Sequence, residues 1–139
     1  MVTIFIITSW ILASLVEGCR DGFYYHNSMT STSPAKQNIH FLFTIERTII
    51  GLAHTIIYLK LVDGNYYHAF TFGLSLMFIF SWFHNGMYLT TRNYLDNKEY
   101  PKKWFDDSTT STARGEFPLE IRTLFAVIGS LLIILLQII

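Results

Sequence analysis

Charge is scarce in this chain. Asp, Glu, Lys and Arg make up 14% of its 139 residues, against about 25% in an average soluble domain. The shortage is uneven. Charges gather between residues 17 and 47 and between 92 and 122, and the tracts outside those stretches hold almost none. Ten basic residues balance ten acidic ones, so no global basic field argues for nucleic acid as a partner. Cys19 is the single cysteine, which rules out an intrachain disulfide and a Cys-pair metal site. Three catalytic signatures are also missing: Glu-x-x-His, His-Glu-x-x-His and a glycine-rich phosphate loop.

Apolar residues are abundant instead. They form 51% of the chain, and mean hydropathy is +0.35. A domain this short cannot bury so much apolar surface in one water-soluble core without leaving large exposed patches. The composition therefore implies an all-α integral membrane protein in a single domain, 1–139, with the lipid bilayer as its solvent. Aromatic residues reach 17%, many of them Tyr and Trp near the ends of apolar tracts, where they suit interfacial anchoring.

Four tracts are long enough to cross a bilayer, which takes roughly 20 apolar residues. They predict a four-helix bundle with helices over about 2–19, 39–61, 66–92 and 118–139. Strands are excluded because unpaired backbone groups are too costly in hydrocarbon. The first tract is read as a retained helix. No Lys or Arg precedes its apolar run, and no small-x-small cleavage pattern follows it. Val62-Asp63-Gly64-Asn65 marks a tight turn between the second and third helices. The other two connections, 20–38 and 93–117, are long and polar. Pro118 suits the first turn of the last helix, where its missing N–H is harmless.

Nine of the ten basic residues fall on the side of the two long loops, and only Lys60 falls on the other. The positive-inside rule then places the long loops in the cytoplasm and both termini on the opposite side. The segment Lys102-Lys103-Trp104-Phe105-Asp106-Asp107 reads as an interfacial anchor facing phospholipid headgroups. Weak similarities between the halves suggest a two-plus-two parallel repeat. Arg20-Asp21-Gly22 pairs with His84-Asn85-Gly86, and Arg47-Thr48 with Arg122-Thr123.

Ionisable residues in membrane helices are a functional hypothesis by default, and here the topology draws them to one depth. Candidates for acid/base chemistry are Glu17, Asp21, Glu46 and His84. Candidates for holding an anionic substrate or lipid phosphate are Arg20, Arg47, Asn85, Tyr88, Arg92 and Arg122. A divalent metal (Zn, Fe or Mn) would draw its ligands from Glu17, Asp21, His26, His40, Glu46 and His84. Glu17 and Asp21 share a helix face. His40, Arg47 and His54 repeat every seven residues along a second. Glu46 and Arg47 lie about 100° apart around their helix and should serve different neighbours.

Three function classes follow. The first is a membrane-embedded enzyme or a metal- or anion-binding protein with its site at the cytoplasmic helix ends. The second is a small oligomeric channel or ion-coupled transporter lined by His40, Arg47 and His54, with His68 at the outer mouth. The third is a structural or accessory membrane subunit without chemistry of its own, whose polar loops, Ser28 to Asn38 and Asn93 to Phe117, would dock a cytoplasmic partner; the charged cluster would then be interhelical ion pairing alone.

Overall fold

A computed structural model describes residues 2–28, 36–95 and 119–138; side chains of 27–28 and 36–41 are not described. The described residues form four helices: α1 (Val2–Ser28), α2 (Lys36–Leu61), α3 (Tyr66–Leu95) and α4 (Leu119–Leu136). The anchor segment 102–107 and Pro118 lie outside the described residues.

The α2–α3 turn is built as its sequence suggests. The Gly64 N–H donates to the Leu59 carbonyl, Asp63 takes φ 50° and Gly64 φ 80°. This is a helix closure in which two successive residues turn left-handed and a backbone bond spans six residues. Asn65 then caps α3, its side-chain oxygen accepting from the His68 N–H at 3.2 Å. Four residues thus reverse the chain and satisfy the loose ends of two helices.

α3 is the central helix. It packs against each of the other three, α1 most extensively, whereas α4 makes no helix–helix contact with α1 or α2. Trp10 meets Leu76, Gly18 meets His84 and Gly22 meets Thr91, so α1 and α3 run parallel. α2 and α4 run the other way: Gly51 lies against Trp10, and Gly129 against Ser75. The order is up-down-up-down.

Close approach depends on small residues. An added Cβ at Gly18 would stand 2.2 Å from the His84 carbonyl oxygen, and one at Gly129 would stand 2.7 Å from that of Ser75. Ser14, Gly18 and Gly22 recur every fourth residue, the small-xxx-small spacing that lets two helix backbones touch.

The core comprises Ile6, Trp10, Tyr58, Phe72, Leu76, Ile79 and Ile133. Phe72 stacks on Tyr58 with ring centroids 3.9 Å apart. The outer faces are the reverse of a soluble protein's. Leu42, Ile45, Ile49, Leu52 and Ile56 form an exposed stripe along α2, and Leu124, Val127, Leu131 and Ile134 one along α4. Exposed apolar patches of that extent mark surfaces that meet lipid or another protein.

α1, α2 and α4 each contain a stretch long and apolar enough to cross a membrane. α3 is not among them. His68, His84, Asn85 and Arg92 interrupt its apolar run, and twelve of its residues are buried. All three other helices pack on it, so part of its surface is covered by protein.

One sequence expectation changes. Residues 20–28, read as loop, continue α1. Their polarity suggested a loop, but Asp21, Gly22 and Tyr25 are buried, and the helix persists by packing on α3. The two-plus-two repeat gains no support from the packing.

Candidate functional site: a charged layer joining four helices

Above the apolar core, every helix contributes a polar side chain to one network. α1 supplies Glu17 and Asp21, which are 5% and 4% exposed. Their four-residue spacing places both on one face, and that face meets Arg47 of α2. The Arg47 Nε donates to Glu17 Oε2 at 2.7 Å, and Nη2 donates to Asp21 Oδ2. The planar guanidinium with its divergent donors suits two carboxylates one turn apart. Arg47 also lies over the Phe80 ring, 5.3 Å from its centroid.

His84 of α3 extends the network. Its Nε2 is 3.1 Å from Asp21 Oδ2 and 2.8 Å from Arg47 Nη2. Its ring stacks on Phe80 at 5.0 Å. The Asn85 amide, oriented to suit both neighbours, donates to His84 Nδ1 at 2.9 Å and accepts from Arg122 Nε of α4 at 3.1 Å. A continuous chain therefore runs Arg122–Asn85–His84–Asp21–Arg47–Glu17 across α4, α3, α1 and α2. With that Asn85 orientation, His84 Nδ1 accepts and a neutral ring carries its proton on Nε2, facing Asp21.

Nε2 nonetheless confronts one acceptor and one donor. A single nitrogen cannot donate to Asp21 while accepting from Arg47. The ring is held where two hydrogen-bond patterns compete.

A second pair lies at the rim. Arg20 Nη1 donates to Glu46 Oε2 at 2.8 Å and Oε1 at 3.0 Å, and the guanidinium sits 4.3 Å from the Phe43 centroid. Glu46 and Arg47 do serve different neighbours. Two arginines, Arg47 and Arg20, thus meet three carboxylates, Glu17, Asp21 and Glu46, while Arg122 reaches the layer through the Asn85 amide.

Other candidates fall elsewhere. Tyr88 is buried against Tyr25, with centroids 6.0 Å apart. Arg92 is buried at the end of α3, about 12 Å along the helix from His84. His26 lies in the last turn of α1, and the His40 side chain is outside the described residues.

The metal expectation gains no support. Among the described residues, no three His, Cys, Asp or Glu side chains converge as a metal would need. The reason is visible: the Arg47 guanidinium occupies the place between Glu17, Asp21 and His84 that a cation would take.

Sequence reasoning missed one positioning element. Gly18 and Gly22 set the α1–α3 distance that brings Asp21 to His84, and their four-residue spacing was the available signal. It also missed Ser9, whose hydroxyl lies 2.8 Å from His54 Nε2 in the apolar half of the bundle. No family model, curated protein or solved structure matches this chain.

Proposed function

We propose that this is a multi-pass integral membrane protein with cytoplasmic long connections and both termini on the opposite side. Its charged layer is an acid/base site at the cytoplasmic ends of the helices. Lipid covers the exposed apolar stripes of α2 and α4. The pair Asp21–His84 takes up and returns a proton. Glu17 and Arg47 hold that pair in place and set its charge. Arg20 and Glu46, at the half-exposed rim, meet a polar substrate or a phospholipid headgroup entering from the interface.

The observation that carries this reading is His84 Nε2, poised between the Asp21 carboxylate and the Arg47 guanidinium. A purely structural ion pair has no need of a titratable ring between its charges, and imidazole is the side chain that changes charge near neutrality. The reading favours proton chemistry over anion capture, because Arg47 and Arg20 are already engaged by carboxylates.

Nitrogen-15 spectra of histidine-labelled protein in bilayers test it. The His84 signal, identified by its loss in His84→Gln, should change form as the pH is varied. Asp21→Asn should alter that response without loss of helix content. A His84 ring fixed in one form throughout, and indifferent to Asp21→Asn, would leave the layer as interhelical pairing and the chain as an accessory subunit.

A further inference from the structure

A second polar contact lies apart from the charged layer, where the bundle is otherwise apolar. His54 sits near the middle of the α2 segment Leu42–Leu61, about 10 Å along the helix from Arg47. Its Nδ1 is 2.8 Å from the Ile50 carbonyl oxygen. A carbonyl only accepts, so Nδ1 carries a hydrogen. Its Nε2 is 2.8 Å from Ser9 Oγ on α1, and the same hydroxyl is 2.9 Å from the Ile6 carbonyl oxygen.

These three contacts define two complete hydrogen-bond patterns. In the first, His54 is neutral. Nδ1–H donates to Ile50, and the Ser9 hydroxyl donates to Nε2. In the second, Nε2 has gained a proton. Nδ1–H still donates to Ile50, Nε2–H donates to Ser9 Oγ, and the hydroxyl hydrogen has swung to the Ile6 carbonyl. One N–H bond forms, none breaks, and a single O–H rotation completes the change. Neither state leaves a buried polar group unmet, and the charged ring keeps a hydrogen bond on each nitrogen, which offsets part of the cost of holding a charge away from water.

We infer that His54 and Ser9 form a proton-binding site inside the membrane-spanning part of the protein, with the Ser9 hydroxyl as its switch. Trp10 of α1 adds to the site. Its ring centroid lies 5.3 Å from that of His54 in an edge contact with the planes 65° apart, so the indole walls one side of the imidazole. Trp10 is itself fixed, its Nε1–H donating to the Leu76 carbonyl of α3 at 2.8 Å. The groups facing His54 are Ser9 and Trp10 from α1, with Phe80 and Leu76 of α3 behind Trp10. None of these carries a charge. The nearest ionisable residues on its own helix are Tyr58, one turn away, and then Lys60 and Arg47. The contact also ties α1 to α2 in the apolar half, and the tie persists in both states. The site therefore takes a proton without parting the helices. This inference does not depend on the acid/base role of the charged layer.

The test uses the full chain, labelled with nitrogen-15 histidine and reconstituted in phosphatidylcholine bilayers. His54→Gln identifies the His54 signals by difference. On acidification the His54 Nε2 signal should pass from the bare to the protonated form while Nδ1 stays protonated throughout. Ser9→Ala removes the switch, leaves the backbone intact and should weaken proton binding at His54 by at least about tenfold. Ser9→Thr, which keeps the hydroxyl, should restore it. His84→Gln should leave the His54 response unchanged, which separates this site from the charged layer. The inference is overturned if Nε2 holds a hydrogen and Nδ1 is bare at every pH, if His54 never charges, or if Ser9→Ala responds as the natural protein does.

Discussion

Gly18 and His84 meet backbone to backbone: the space that a side chain at Gly18 would need is taken by the His84 carbonyl oxygen, 2.2 Å from where the Cβ would lie. Real Cβ atoms do not come that close, so α1 and α3 must separate to admit even alanine. Separation would also draw Asp21 away from His84. Gly18→Ala should destabilise the protein by about 2–3 kcal/mol and weaken the Asp21–His84 contact. At Gly51 a Cβ would stand 3.3 Å from the edge of the Trp10 ring, and Gly51→Ala should cost much less. Denaturant titrations in detergent micelles, with helicity as the signal, rank the two; equal stability would show that α1 and α3 do not approach so closely.

Arg47 holds two buried carboxylates; its loss strands Glu17 and leaves Asp21 with His84 and the more distant Arg20 Nε, 3.5 Å away. Arg47→Met should cost about 3–5 kcal/mol, because buried negative charge is left poorly paired. The triple variant Arg47→Met, Glu17→Gln, Asp21→Asn removes the stranded charges and should recover most of that loss. Arg47→Lys should fall between, since one ammonium cannot reproduce the two-armed contact. A triple variant no more stable than Arg47→Met alone would mean that the carboxylates are not paired through Arg47.

The rim pair should behave differently. Arg20 and Glu46 have side chains 38% and 44% exposed, so water already screens their attraction. Glu46→Gln should change stability by less than about 1 kcal/mol. Measured beside Arg47→Met in one titration series, it checks that burial, and not ion-pair count, sets the energetics of this layer.

Trp10 donates from its indole to the Leu76 carbonyl at 2.8 Å. Trp10→Phe keeps most of the packing and deletes that one bond. Interhelical hydrogen bonds between membrane helices average about 0.6 kcal/mol, and a loss of that order is expected. A cost several times larger would point to the ring's packing around His54 and Phe80 as the dominant contribution.

The proposed topology makes a geometric prediction. With Cys19 replaced by serine, single cysteines placed at Ser31 and at Ser108 should react with an impermeant reagent from the same side of the membrane. One at Asn65 should react from the opposite side. Reaction of Ser31 and Ser108 positions from different faces would break the four-pass arrangement.

Much of the fold was legible one helix at a time. Apolar length marked the helices, and Asp63-Gly64 marked the turn. The 100° offset of Glu46 and Arg47 foretold that they would face different partners, which proved to be Arg20 on one side and Glu17 with Asp21 on the other. The end of α1 was not legible. Residues 20–28 look like loop by polarity, yet Tyr25 packs on Tyr88 and an added Cβ at Gly22 would strike Thr91. Polarity predicts exposure only where no neighbour is waiting, and a single sequence does not reveal the neighbour. His54 posed a similar difficulty. Its place on the inward face was readable from its spacing to Arg47, but Ser9 lies 45 residues away in the chain.

The sequence by itself determined where four helices would lie, though not where α1 ends, and that an alternating path through them would draw their charged ends toward one level. Those properties are local, written in composition and period. Only the tertiary structure decided that Arg47 stands between Glu17, Asp21 and His84 where a metal was one expectation, and that α3 became the shared inner helix. Both follow from backbone distance. The glycines of α1 let it approach α3 closely enough for short side chains to bond across the gap, and that distance is a property of two surfaces together.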